Sequence, residues 1–97
     1  MLRHIVMFRL KDMPEKADNL KKLKNAIEQL QESIPEAKSI EVGVNVNTSS
    51  AAFDLVLVSD FDDAAALDKY RVHPEHQNVL ELIARVNQEI AVVDYDL

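Results

Sequence analysis

An α+β sandwich with an antiparallel sheet, in the order β-α-β-β-α-β, is what three features of the chain lead us to expect. Two strand-like segments, Leu2 to Leu10 and Ala52 to Phe61, carry apolar residues on both faces. A third, Ser39 to Asn47, carries them on one face only. One stretch with helical periodicity separates the first strand from Ser39 to Asn47, and a second, interrupted by a proline, follows Phe61. The 97 residues are the size of one domain, read as residues 1–97, with a thin core that a partner subunit would help to bury.

The first strand puts Leu2, His4, Val6, Phe8 and Leu10 on one face and Ile5 and Met7 on the other. Two apolar faces mean burial on both sides, hence a central position. Asp12-Met13-Pro14-Glu15 then reads as a helix start, with Asp12 as N-cap and Glu15 as the capping-box carboxylate. Leu20, Leu23, Ile27, Leu30 and Ile34 follow at spacings of three and four, which sets them on one helical face. Pro35 biases Ile34 away from helical geometry and ends the element.

Ser39 to Asn47 alternates, with Ile40, Val42, Val44 and Val46 on one face and Glu41, Gly43, Asn45 and Asn47 on the other. A polar face indicates an edge strand, and Gly43 marks a bulge or a close backbone approach. Ala52 to Phe61 is apolar on both faces again. Asp62 offers an N-cap for a short helix to about Tyr70, with Leu67 and Tyr70 inward. After the break at Arg71-Val72-His73-Pro74, a second helix runs to about Gln88, with Val79, Leu80, Ile83 and Val86 or Asn87 along its buried side. Ile90 to Asp96 closes the chain as a strand.

This order is the split βαβ, or ferredoxin-like, plan. Its helices cover one side of the sheet, so Ile5, Met7, Val56 or Leu57, and Val92 or Val93 leave apolar surface on the other. A patch of that kind points to a homodimer through sheet faces, a dimeric α/β barrel.

Composition narrows the function classes. Eleven Lys and Arg against seventeen Asp and Glu give a net charge of −6, which argues against nucleic acid and against an anionic membrane surface. There are no cysteines, so disulfides, thiolate metal sites and cysteine nucleophiles are excluded. No apolar run exceeds four residues, as in Leu55 to Val58 and Ile90 to Val93, which is far too short for a bilayer. No basic region, apolar stretch and cleavage site occur in series at the start, and the expectation is a cytoplasmic protein. Phosphate-binding glycine loops and the nucleophile elbow are absent.

Three local patterns carry a resemblance: Arg3-His4-Ile5-Val6, Tyr70-Arg71-Val72-His73-Pro74-Glu75-His76 and Val92-Val93-Asp94-Tyr95. Together they resemble the stress-responsive A/B barrel domain family of dimeric α/β barrels, over essentially the whole chain. Most members have no established reaction. One plant member is an enzyme that closes a linear polyketide by aldol condensation without a cofactor. By that resemblance Tyr70 and the final motif histidine, His76, carry the chemistry, and His4 lies at the same pocket. Plant members often carry another histidine early in the third strand, where this chain has Leu55.

The residues also speak for themselves. His4 shares a face with Val6 and Phe8, so it is expected to be buried, and a buried imidazole needs hydrogen-bond partners. In a purely structural role, His4, Tyr70 and His76 would satisfy one another and pin the broken helix to the sheet. In a catalytic role, a neutral His76 is a general base toward a C–H beside a carbonyl, with Tyr70 donating to the enolate oxygen and His4 orienting base or substrate. His73, just before Pro74, is expected to cap the following helix. His73 and His76 near Glu75 invite a metal reading, but zinc requires three or four converging ligands and these two histidines point differently, so no metal and no cofactor is expected. The function expected is a small apolar or carbonyl-containing molecule bound between helices and sheet. The alternatives are a cofactor-free cyclase or isomerase, and a non-catalytic stress or interaction module.

Overall fold

The structure, a computed structural model, describes residues 1–97. The elements run β1 (Leu2–Leu10), α1 (Lys16–Ser33), β2 (Ser39–Val44), β3 (Leu55–Phe61), α2 (Ala64–Val72), α3 (Pro74–Val86) and β4 (Asn87–Asp96). All strand pairs are antiparallel, in the order β2-β3-β1-β4. The ferredoxin-like sandwich is therefore present, with the doubly apolar strands in the centre and β2 at an edge.

The barrel expectation needs correction, because the sheet is open. β2 and β4 lie at opposite edges with β3 and β1 between them. Closure would require β2 and β4 to pair, and four strands are too few to curl round on themselves.

Several elements differ at their ends from the sequence reading: Asp63 rather than Asp62 caps α2, and β4 begins at Asn87 rather than Ile90. α1 starts at Lys16, not after Asp12, because residues 13–15 form a turn in which the Lys16 N–H donates to the Met13 carbonyl. Glu15 occupies the N-cap position without a side-chain bond. β2 stops at Val44, because the Asn45 and Asn47 side chains accept from backbone N–H groups two residues on and turn the chain. β3 accordingly begins at Leu55. Gly43 marks neither a bulge nor a close approach: the β2–β3 register is continuous, and a Cβ there would meet Val56 at an ordinary 3.4 Å. The irregularity in the sheet lies instead between Arg9 and Leu10, opposite β4.

Paired residues of an antiparallel sheet share a face. The helices cover the rows Val42–Leu57–Val6–Val92 and Ile40–Ser59–His4–Asp94. Leu23, Ile27 and Leu30 of α1, Leu67 and Tyr70 of α2, and Val79 and Val86 of α3 complete the core on that side. Leu80 is exposed rather than buried. The outer face holds the rows Gly43–Val56–Met7–Ala91 and Glu41–Val58–Ile5–Val93, with no helix over them. Of the paired alternatives read from sequence, Val56 and Val93 face outward and Leu57 and Val92 face the helices. Arg3–Asp60 and Arg9–Glu89 ion pairs flank this apolar patch. No helix is long and apolar enough to cross a membrane.

Candidate functional site

Between the helical layer and the β1–β4 half of the sheet lies a cavity of about 470 Å³. His4, Val6 and Phe8 of β1 and Ile90 and Val92 of β4 line its sheet side, and Ile27 and Leu30 of α1 reach in from the helical layer. Leu57 of β3, Tyr70, Arg71 and Val72 of α2, and His76, Gln77, Val79, Leu80 and Ile83 of α3 line the rest. Twelve of the sixteen lining residues are hydrophobic. The three residues singled out from sequence thus border one cavity.

The helix break sets the state of His76. In a continuous helix the Arg71 carbonyl would accept from the N–H of residue 75. Pro74 starts a new helix instead, and the Glu75 N–H turns to the His73 ring at 3.1 Å. The freed Arg71 carbonyl accepts from Gln77 Nε2 at 2.8 Å and from His76 Nδ1 at 3.0 Å. A carbonyl can only accept, so Nδ1 carries the proton, and in the neutral ring Nε2 keeps its lone pair. Burial lowers the His76 pKa from 6.5, and the charges of His4, Arg71 and His73 add to that, against an opposing contribution from the Arg71 carbonyl. His76 is neutral at pH 7 with a free basic nitrogen.

Tyr70 lies between two rings, 5.0 Å from Phe61 and 4.6 Å from His76, centroid to centroid. It is almost wholly buried, and burial pushes its phenol up to about 12. Its hydroxyl makes no bond to the protein, yet no fully buried side-chain polar atom lacks a partner, so the hydroxyl opens onto the cavity. A phenol held protonated is a donor throughout the neutral range.

His4 is fixed from the opposite side. Its Nδ1 lies 2.5 Å from Asp94 Oδ1, directly across the β1–β4 ladder. The other Asp94 oxygen accepts from Arg71 at 3.2 Å, which ties β4 to α2. A carboxylate on Nδ1 favours the tautomer whose Nε2 is unprotonated, and Nε2 makes no bond within the protein. Phe61 stands edge-on to the His4 ring with centroids 6.3 Å apart.

The structural expectation of mutual bonding among His4, Tyr70 and His76 is not met. Each histidine is bonded elsewhere, and Tyr70 is unbonded. Asp94 and Arg71 are the residues the sequence reading missed. The alternation of Ile90, Val92 and Asp94 was the only trace, and it marks a core-facing carboxylate only once the β1–β4 register sets Asp94 opposite His4. His73 caps α3, as the pre-proline position implied. Leu55 is packed in the core and does not line the cavity. No group of three His, Asp or Glu side chains converges as a metal site would require.

Residues 2–97 match the family described as Stress responsive A/B Barrel Domain. A dimeric protein of unknown function and ferredoxin-like fold from Bacteroides fragilis is 35% identical, with a TM-score of 0.90 over 99% of this chain and 95% of that one. A dimeric ferredoxin-like protein of unknown function from Thermobifida fusca is 28% identical, with a TM-score of 0.85 over 99% and 90%. One from Jannaschia, at 24% identity, a TM-score of 0.82 and coverage of 99% and 98%, shares the fold. No curated protein matches the chain at significant similarity.

Proposed function

The chain belongs to the stress-responsive A/B barrel domain family, and on that premise we propose that it binds a small apolar carbonyl compound in the cavity beside His76. There it moves a proton at the carbon next to the carbonyl, without a cofactor. One observation carries this reading: an apolar cavity is bordered by a neutral imidazole with a free Nε2 and by a protonated phenol without a partner.

The proton inventory closes within the site. His76 Nε2 takes the α-proton, and the C–H electron pair moves into the carbonyl, leaving an enolate oxygen. Tyr70 donates a hydrogen bond to that oxygen. The His76 imidazolium then returns the proton to the same carbon, to the γ-carbon of the dienolate where the substrate is a β,γ-unsaturated carbonyl, or to the alkoxide formed when the enolate adds to a second carbonyl of the substrate. His4, held by Asp94, orients the substrate. These steps cover exchange, isomerisation and aldol cyclisation. A scaffold role would leave neither nitrogen nor hydroxyl free.

The test is deuterium wash-in at the α-carbon of methyl heptyl ketone, followed by proton NMR. Wild-type protein should accelerate exchange over buffer, and His76→Gln should lose about a hundredfold. Tyr70→Phe should lose on the order of tenfold to a hundredfold. Equal rates for buffer, wild type and His76→Gln would reject the catalytic reading.

The protein also pairs with a second copy of itself through the outer sheet face. The relatives from Bacteroides fragilis and Thermobifida fusca are dimeric, and the exposed apolar rows around Met7, Val56 and Val93 support the same assembly here. Sedimentation equilibrium should return about twice the 11.0 kDa chain mass. A concentration-independent 11.0 kDa particle would contradict it.

A further inference from the structure

We infer that filling of the cavity and pairing of two chains strengthen each other through β4. The inference rests on the proposed pocket and the proposed dimer, and it adds a coupling between them. β4 is ten residues long, and none of them is buried. Its backbone ladder runs to β1 alone and the Arg71–Asp94 ion pair ties it to α2, while the helices pack mainly on one another and on β1, β2 and β3. Its inner row, Ile90 and Val92, borders the cavity at 48% and 52% exposure. Its outer row, Val93 and Tyr95, lies on the uncovered face at 54% and 42%. One strand is therefore wall to the cavity and surface to the second chain, and it is incompletely packed on both sides.

An edge strand with so little buried surface opens at lower free energy than the strands inside the sheet. A ligand in the cavity covers Ile90 and Val92 and orders the strand from within. A second chain covers Val93 and orders it from without. Whichever arrives first bears the ordering cost, so the other binds more tightly. Asp94 makes the coupling relevant to the site, because the same strand holds the carboxylate that fixes His4 and Arg71. The linkage is reciprocal by thermodynamic necessity.

The experiment is a sedimentation dilution series of the wild-type chain with and without saturating methyl heptyl ketone, with ketone binding measured separately by calorimetry. The dimer dissociation constant should fall about fivefold or more when the ketone is bound. Amide hydrogen exchange across residues 87–96 should slow on ketone addition. In the reverse direction, a monomeric Val93→Glu chain should bind the ketone about fivefold more weakly or worse. If that variant does not fold, the wild-type dilution series and the exchange data decide. Ketone binding with an unchanged dimer constant overturns the coupling and leaves the pocket reading intact. No ketone binding overturns both.

Discussion

A single carbonyl oxygen, that of Arg71, decides what His76 can do. It is free because Pro74 ends α2, and it holds His76 Nδ1 in the donor role, which leaves the Nε2 lone pair free. The pH dependence follows. The proposed reaction requires a deprotonated His76, and its pKa is lowered from 6.5 by burial, so the acid limb of ketone exchange should have its midpoint below 6.5. Tyr70 must stay protonated, and at about 12 it does so through the whole range in which the protein is usefully assayed. A rate profile with a midpoint at or above 6.5 would place the base elsewhere. The same shift has a stability consequence. Between the lowered folded value and 6.5 the unfolded chain binds the extra proton, so stability rises with pH across that window and is complete above it. Urea titrations just below and well above 6.5 should show this slope in wild type and a shallower one in His76→Gln.

At the level of elements, the broken second helix is held by local chemistry that the sequence already displayed. His73 ends α2 and caps α3, with the Glu75 N–H on its ring. His73→Ala should cost about 1 kcal/mol in chemical denaturation without blocking ketone binding, because His73 does not line the cavity. A loss of binding as large as that of His76→Gln would show that the cap positions the site. Strand order was legible for the same physical reason: doubly apolar segments sit in the centre, and the half-polar one sits at the edge. The start of α1 was not legible, because the turn at residues 13–15 competes with the Asp12 cap and leaves no local trace. Tyr70, His76 and His4 could be assigned to one region, but Asp94 could not. Val92 and Val93 are both apolar, so alternation alone left the inward face of β4 undecided until its pairing with β1 was known.

For the whole molecule, one helical layer on a four-stranded sheet leaves one face to a cavity and the other to a partner chain. Each chain carries a net charge of −6, so two copies repel, while the outer face itself is apolar between ion pairs. Raising salt from ~50 to ~500 mM should therefore tighten the dimer, because screening removes the repulsion and the apolar contact is not weakened. Weakening with salt would mean that attractive ion pairs hold it. The claim on which most depends is that the cavity between helices and sheet, rather than the outer face, receives the carbonyl compound. Intermolecular NOEs on methyl heptyl ketone answer this directly. Contacts are expected from its α-protons to the rings of Tyr70 and His76, and from its alkyl chain to Ile83 and Ile90. Contacts to Met7 and Val56 instead, on the opposite side of the sheet, would contradict it.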